Sequence, residues 1–264
     1  MGRWLRIGLV VVAVLALVVG GYTAYIGYEG SRLLVANEAE RVDCRTPDAR
    51  FGWAYEAINY DIADDGELAS RNPDLTDCSY QGVKAGDEVV TDDGIRIAGW
   101  YIPAGNGADA SAPTIVLVHG FMTNKSGILP YGVGLHDEYN LVAWDMRNVG
   151  RSTGDESTGG VLEQRDLRAV IDWLVRTKHP THIGVLGNSL GAVTGLAEAR
   201  DDARVEALVL DSMHTRIGHQ IAARVEHGGY LSYFGTTLAI ETGIGMRTGV
   251  DVSSVDAERT IAAY

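Results

Sequence analysis

The protein is a chain of 264 residues, of which 46% are hydrophobic and 22% are charged, both ordinary proportions for a globular protein. Its formal net charge of −13 argues against a nucleic-acid partner, because binding to phosphates requires a basic face. The length suits one α/β domain preceded by a short N-terminal addition.

Residues 1–28 have the pattern of a membrane anchor. The stretch Ile7–Tyr28 carries no charge, and about 20 apolar residues suffice to cross the hydrocarbon core of a bilayer. Arg3 and Arg6 precede it, and basic residues favour the cytoplasmic side, so we expect a cytoplasmic N-terminus and an extracytoplasmic catalytic domain. A cleaved signal peptide is the alternative, but the apolar run is long for one and no small-x-small cleavage site directly follows it.

Residues 29–85 form an acidic, turn-rich lead segment. It contains Cys44 and Cys78, and outside the cytoplasm we expect a structural disulfide between them. A metal pair or a catalytic thiol would need further ligands or a base at usable spacing. The run 61–67 superficially resembles a calcium loop, but Ala63 occupies a ligand position, so we interpret the run as a solvated loop.

From residue 86 the hydrophobic pattern indicates strands. An Asp-Gly turn within Thr91–Gly94 separates two apolar runs and predicts a hairpin of Asp87–Thr91 with Ile95–Ile102. Continuous apolar runs predict four strands buried on both faces. These runs are Thr114–Val118, Leu141–Trp144, Ile183–Leu186 and Ala207–Leu210.

Helical segments alternate with these strands. Residues 126–137, 160–177 and 190–200 are the candidates, and in the second Leu167, Val170, Ile171 and Leu174 fall on one face. Buried strands that alternate with helices predict an α/β fold with a doubly wound, mostly parallel sheet. In such sheets, functional residues lie on the loops that follow the carboxyl ends of the strands.

The sequence Gly187-Asn188-Ser189-Leu190-Gly191 follows a predicted strand and precedes a predicted helix. This is the context of a nucleophile elbow, a tight turn that lifts a serine hydroxyl off the sheet. Ser189 is therefore the candidate nucleophile. The alternative is a serine that merely caps the helix.

The first central strand ends in His119-Gly120-Phe121. In a hydrolase of this kind, a backbone N–H at this loop would complete an oxyanion hole with the N–H after the nucleophile. Phe121 and Leu190 are the candidate donors. We interpret His119 as shaping the loop through hydrogen bonds, not as the catalytic base.

The segment Asp145–Ser152 follows the next strand and completes a spaced set of three motifs. With this set the chain, from about residue 87 to 264, resembles the α/β-hydrolase superfamily, and most closely its serine aminopeptidase-like or lysophospholipase-like branch. The resemblance implies an eight-stranded, mostly parallel sheet and a Ser–acid–His triad. It also implies structural roles for Asp145 and Arg147. Family members usually have glycine where this chain has Asn148, so we expect a slightly altered loop there.

The triad order in this superfamily is serine, then acid, then histidine. After Ser189 the chain has one more strand, ending in Asp211, and then a glycine-rich region (213–250) that we interpret as a possible cap. Residues 255–264 resemble the helix that precedes the acid-bearing strand.

Three explanations account for the missing acid and histidine. The first is that the sequence is a fragment truncated before the last two strands, which would make it poorly stable alone because an edge strand is exposed. The second is that local substitutes serve, with Asp211 as acid and His214, His219 or His227 as base. The third is that the chain is a relative that does not catalyse.

The sequence thus predicts a membrane-anchored serine hydrolase that cleaves an ester, thioester or amide by acyl transfer. We expect a small-molecule, lipid or peptide acyl substrate, no metal and no organic cofactor. The alternative is a non-catalytic, membrane-tethered binding or scaffold protein with the same fold, since fold does not fix function. Haloalkane and epoxide hydrolases carry aspartate at the nucleophile position, and Ser189 argues against that class.

Overall fold

The computed structural model describes residues 2–37, 45–58, 88–105, 107 and 109–262. Within them a six-stranded sheet has the order β1-β2-β4-β3-β5-β6. The last four strands along the chain are mutually parallel and the first two pair antiparallel, which confirms the predicted mostly parallel α/β sheet. The strands are β1 (Glu56–Ile58), β2 (Gly99–Ile102), β3 (Thr114–Val118), β4 (Asn140–Trp144), β5 (Ile183–Asn188) and β6 (Val205–Asp211).

Eight α-helices accompany the sheet in the described residues. They are α1 (Arg3–Ala36), α2 (Pro47–Phe51), α3 (Lys125–Ile128), α4 (Glu163–Thr177), α5 (Leu190–Asp201), α6 (Ile217–His227), α7 (Phe234–Thr248) and α8 (Ala257–Ala262). Two short 3₁₀ segments lie at Leu129–Gly132 and Val252–Ser254.

The core lies on both faces of the central strands. Side chains alternate along β3, so Val116 and Val118 face one cluster with α4 and α5, while Leu117 faces another with α3 and the 3₁₀ segment after it. The apolar face predicted for α4 is confirmed, because Leu167 and Leu174 are completely buried in the first cluster.

The predicted hairpin is only partly correct. The turn forms, since the N–H of Gly94 donates to Thr91 O at 3.0 Å, and its arms are joined because the N–H of Thr91 donates to Ile95 O and that of Ile97 to Val89 O, each at 2.9 Å. On its other side the second arm donates the N–H groups of Arg96 and Ala98 to the Thr153 and Ser152 hydroxyls, at 2.9 Å each. Regular strand in this arm begins only at Gly99. Asp87 lies outside the described residues.

The helix predicted over 126–137 is wrong in its extent. An α-helix covers only Lys125–Ile128 and then tightens into the 3₁₀ segment. Pro130 explains the break, because it has no N–H to donate and its ring crowds the preceding turn. The expected Cys44–Cys78 disulfide and the solvated loop 61–67 lie outside the described residues.

Helix α1 is unbroken for 34 residues and has two different environments. Every residue from Arg3 to Gly21 is exposed, and this part is apolar enough to cross a membrane, with a mean hydropathy of 2.4 in its best window. The remainder packs lengthwise on α7. Small residues allow the close approach: a β-carbon at Gly27 would lie 2.8 Å from the Ala239 β-carbon, and one at Gly243 only 2.6 Å from Ser31 Oγ.

A buried charge cluster fixes the loop after β4. The Arg147 guanidinium donates to the buried Asp166 carboxylate at 2.7 and 3.0 Å and to Asp93 at 2.9 Å. Partial burial raises the pKa of Asp93, but the hydrogen bonds from Arg147 and Thr91 outweigh it and hold that pKa at about 2. This supports the structural role expected for Arg147.

The Asp93 contact should stabilise the fold in a pH-dependent way. A carboxyl group whose pKa is depressed by folding contributes stability above its unfolded pKa, and the contribution is lost as the pH falls through the folded value. We therefore expect Asp93→Asn to lower the urea midpoint near about pH 7 and the difference from wild type to shrink steadily below about pH 4. Asp92→Asn, at an exposed neighbour, is the control. A deficit independent of pH would contradict the assignment.

Candidate active site

Ser189 lies in the turn between β5 and α5, as the elbow prediction requires. Its backbone has φ 52° and ψ −111°, a region that costs a non-glycine residue of order 1–3 kcal/mol. The N–H of Ser189 donates to the carbonyl of Asp211 at 2.8 Å, which ties the elbow to the end of β6. The surrounding structure therefore holds the serine in a strained conformation in which it does not cap the helix through its side chain.

The two glycines of the elbow are required by close backbone contacts. A β-carbon at Gly187 would overlap the carbonyl of Gly191. One at Gly191 would overlap the carbonyl of Val118 and lie 2.6 Å from that of His119. Helix α5 thus begins directly against the end of β3, which brings the elbow and the His119 loop together.

His119 has both ring nitrogens engaged. Nδ1 lies 2.8 Å from the carbonyl of Gly120, and Nε2 accepts the N–H of Met146 at 3.0 Å. Burial lowers the pKa of this ring, so it is neutral, with the proton on Nδ1. His119 therefore joins the loops after β3 and β4 and has no free nitrogen with which to activate Ser189.

The candidate oxyanion donors lie beside the nucleophile. Phe121 and Leu190 line the same cavity as Ser189. Leu190 is the first residue of α5, where backbone N–H groups lack partners within the helix and the helix dipole favours negative charge. Gly120 makes room for this approach, since a β-carbon there would lie 3.4 Å from that of Ser189.

The end of α1 reaches into the active-site loops, which sequence reasoning missed. Asn37, just past the helix, is buried and adopts the left-handed conformation with φ 40°. Its Oδ1 accepts the N–H of Met122 at 3.1 Å, and its Nδ2 donates to Ser157 Oγ at 3.0 Å. Met122 follows Phe121 directly, so Asn37 holds the loop that carries one candidate oxyanion donor. An asparagine just after a long helix was the available signal.

The contacts of Asn148 give a structural reason for an asparagine at a position where the resemblance leads us to expect glycine. Its φ of 60° is left-handed, which asparagine tolerates better than most residues. Its Nδ2 donates to the carbonyls of Val35 and Ala36 at 3.1 and 2.9 Å. The altered residue thus binds the last turn of α1, a role that glycine could not perform.

Asp145 holds two loops together through its buried carboxylate, which fits the structural role expected for it. Its buried carboxylate accepts the N–H of Lys125 at 2.8 Å and that of Arg151 at 3.1 Å, and it also pairs with the Lys125 ammonium. A β-carbon at Gly150 would overlap this carboxylate. These contacts bind the loops after β3 and β4 to each other below the nucleophile.

The cavity above Ser189 has a volume of about 630 Å³. Helix α6, within the predicted cap region 213–250, supplies much of its wall, and Leu34 of α1 also lines it. His214 and His227 face the same cavity, whereas His219 is exposed and is not part of the lining. His214 Nδ1 is buried without a hydrogen-bond partner in the described part of the chain, and burial lowers the pKa of the ring.

Asp211 is placed at the end of β6 beside the elbow. Its Oδ2 accepts the Tyr131 hydroxyl and, at 3.0 Å, the Asn188 amide, while the Ser212 hydroxyl donates to Oδ1 at 3.1 Å. These hydrogen bonds keep the pKa of Asp211 below its ordinary value. No histidine of the described ranges donates to this carboxylate in a recorded hydrogen bond, so Asp211 and His214 are near the elbow but are not joined as an acid–base pair.

In the part of the chain that the structure describes, no group of three or more His, Cys, Asp or Glu side chains could hold a metal ion. The polar groups that line the cavity include the Ser189 hydroxyl and the His214 and His227 rings.

Comparison with protein families agrees with this geometry. Residues 113–248, just over half of the chain, match the family model described as the alpha/beta hydrolase fold. The range includes β3, the elbow and both helices of the predicted cap. Among solved structures, the esterase Pf2001 of Pyrococcus furiosus superposes with a TM-score of 0.51 and 25% identity over 62% of each chain.

Two relatives in sequence are uncharacterised bacterial proteins. The uncharacterised protein YfhR of Escherichia coli O157:H7 is 31% identical over 151 residues, covering 54% of this chain and 52% of YfhR. The uncharacterised protein Rv2307c of Mycobacterium tuberculosis is 35% identical over 140 residues, covering 50% of this chain and 47% of that protein. The chain thus spans about half the length of the curated relatives it matches.

Proposed function

Since the chain belongs to the alpha/beta hydrolase fold family, we propose that it is a membrane-anchored serine hydrolase that transfers an acyl group through Ser189. The observation that carries the proposal is the elbow itself. A strained serine stands between β5 and α5 at the floor of a cavity of about 630 Å³. Strain of this kind persists only where the surrounding structure enforces it, and it clusters at functional sites.

The proposed reaction has two steps. The Ser189 oxygen attacks the acyl carbonyl and its proton passes to a base, while the backbone N–H groups of Phe121 and Leu190 bind the oxygen that becomes negative. The bond to the leaving alcohol, thiol or amine then breaks, and the leaving group takes up the proton. Water next attacks the acyl-enzyme, releases a carboxylic acid and restores the serine hydroxyl.

His214 is the proposed base among the described residues. It lines the same cavity as Ser189, and its buried Nδ1 is without a partner in the described ranges. Burial lowers the pKa of this ring, which favours the neutral form that a general base must have before it accepts a proton. Asp211, which is bound by Tyr131 and Asn188, is better suited to holding the elbow than to orienting His214.

Membrane attachment is proposed from α1. The exposed, apolar part of the helix is preceded by Arg3 and Arg6, which favours a cytoplasmic N-terminus and an extracytoplasmic catalytic domain. The second half of the helix is docked on the domain, so loss of the helix as a cleaved signal would remove Leu34 from the cavity wall. This dependence supports an anchor that is retained.

The direct test is labelling of the purified chain, in detergent, with a fluorophosphonate probe. We expect the wild type to be labelled and Ser189→Ala to lose labelling completely, because the probe bonds only to an activated serine. Ser212→Ala is the matched control, since Ser212 stands at the end of the neighbouring strand, is exposed and also has positive φ. A folded wild type that resists the probe, or labelling that survives in Ser189→Ala, would overturn the proposal.

The second candidate is a tethered binding protein that keeps the fold without catalysis. The observation in its favour is the carboxylate of Asp211, which is bound by a tyrosine and an amide and by no histidine of the described residues. In that case the fluorophosphonate probe would not label the wild-type chain, although the chain would still melt cooperatively.

A further inference from the structure

A second cavity adjoins the one above Ser189. It has a volume of about 300 Å³ and lies between α1 and α6, with a mostly apolar wall in which Glu29 and Arg224 are the charged residues. Helix α1 contributes one side, from Tyr25 to Leu34, and α6 contributes the other, including Ile221 and Val225. We call this space the α1–α6 groove.

The groove and the Ser189 cavity adjoin each other. Five residues, on α1, the loop after β3 and α6, line both of them: Leu34, Phe121, Ile221, Arg224 and Gly228. One end of the groove therefore lies beside the cavity that contains Ser189. The Arg224 guanidinium stands at this junction, 5.8 Å from the centre of the Phe121 ring.

The other end of the groove, lined by Tyr25 and Tyr230, lies near the point where α1 leaves its fully exposed segment. The Tyr22 hydroxyl donates to Leu231 O at 2.9 Å, and the Thr23 and Tyr233 hydroxyls are hydrogen-bonded to each other. At this level the loop between α6 and α7 and the start of α7 expose a cluster of large apolar side chains. They are Tyr230, Leu231, Tyr233, Phe234 and Leu238, with Phe234 exposed to 82%.

An exposed apolar cluster beside a membrane-spanning helix marks a surface that contacts lipid. The exposed part of α1 ends at Gly21, one residue before the contacts to this loop. With α1 spanning a bilayer as proposed, this end of the groove lies at the bilayer surface and the other end lies beside the Ser189 cavity.

We infer that the α1–α6 groove binds the acyl chain of a lipid drawn directly from the bilayer and presents its ester carbonyl to Ser189. The groove is mostly apolar, adjoins the nucleophile's cavity at one end and lies near the exposed apolar cluster at the other, an arrangement that suits a hydrocarbon chain. The inference rests on the proposed function only in one respect, the attack of Ser189 on the ester carbonyl of the bound lipid. Binding of the chain itself does not need an active serine.

The test uses the full chain in phospholipid nanodiscs with a photoreactive palmitate that carries a diazirine near the end of its chain. We expect irradiation to attach the probe to Ile221 and Val225, which are buried on the α6 wall and face no bilayer, with the sites mapped by mass spectrometry. Ser189→Ala should give the same sites, so failure of the hydrolase proposal would be seen separately. Attachment confined to the exposed segment between Arg3 and Gly21 would overturn the inference.

Matched variants of α1 provide the control. Leu34→Trp fills the junction of the two cavities and should reduce attachment at Ile221 and Val225 at least fivefold, whereas Ala24→Trp, at an exposed position outside both linings, should leave it unchanged. Equal loss in both variants would contradict a groove-specific site.

If the protein hydrolyses esters, the dependence of kcat/KM on the length of the substrate's acyl chain gives a second test. Each additional buried methylene should improve kcat/KM on nitrophenyl esters about fourfold, from butyrate through laurate, until the groove is full. The gradient should flatten in Leu34→Trp and persist in Ala24→Trp. Equal rates for short and long esters in the wild type would overturn the inference.

Discussion

Replacing Gly191 by alanine should prevent the chain from folding under conditions in which the wild type is stable. The added β-carbon would overlap the carbonyl of Val118 and lie 2.6 Å from that of His119. These atoms are backbone at the end of a central strand, so no side chain can rotate away to relieve the overlap. Overpacking typically costs about 1–3 kcal/mol and occasionally more, and an overlap with backbone that cannot move belongs at or above the upper end, a large part of the stability of a single domain.

Gly184→Ala is the matched control for this variant. Gly184 lies on β5 of the same motif, but there a β-carbon would lie 3.8 Å from its nearest neighbours, an ordinary contact. We expect the control to melt within a few degrees of wild type and Gly191→Ala to give no cooperative melt by circular dichroism. If both variants melted alike, the close approach of α5 to β3 would be wrong.

Removing the side chain of Asn37 should slow acylation of Ser189 although Asn37 does not touch the nucleophile. Asn37→Gly keeps the left-handed backbone without cost but removes the acceptor for Met122 N and the donor to Ser157. The loop that carries the N–H of Phe121 is then less well fixed. Loss of one oxyanion donor lowers the catalytic rate about 10²–10³-fold. Displacement of the Phe121 N–H should therefore lower the rate of reaction at Ser189 roughly 10- to 100-fold. The readout is the rate of fluorophosphonate labelling.

A conservative variant separates positioning from stability. Asn37→Asp retains an oxygen that accepts the N–H of Met122, so the labelling rate should return towards wild type, whereas the melting temperature of both variants should fall because a buried hydrogen bond to Ser157 changes. A labelling rate that simply followed the melting temperature in both variants would assign Asn37 a structural role only.

The central fold was predictable from sequence because strands of a buried parallel sheet are continuous apolar runs. Thr114–Val118 is strand over the predicted range, and Ile183–Asn188 and Val205–Asp211 extend their predictions by only a few residues. The errors lie at the ends of elements. The helix predicted over 126–137 stops at Ile128 because of Pro130. The arm Ile95–Ile102 becomes regular strand only at Gly99, where it pairs with β4, a strand about 40 residues further along the chain that no local pattern reveals.

The candidate site was predictable where all the residues that determine its geometry lie in one short motif. The elbow glycines, the strand before Ser189 and the helix after it are contiguous in sequence. The contribution of α1 was not predictable in this way, since Asn37 is 85 residues from Met122 and apolar helices of its type are expected to be independent of the domain that follows. Asn148 was noticed as a departure, but its partners on α1 emerge only from the fold.

The unbroken course of α1 has a mechanical consequence. From Tyr22 to Asn37 the chain is one rigid rod, which at 1.5 Å per residue spans about 22 Å. Asn148 and Ser157 bind the last turn of this rod, so the domain and the helix are joined without a flexible linker. If the helix anchors the chain in a bilayer as proposed, its length fixes the distance of Ser189 from the membrane surface. Four residues added within the rod would increase that distance by about one helical turn, so this distance, as well as the shape of the cavity, would select the substrate.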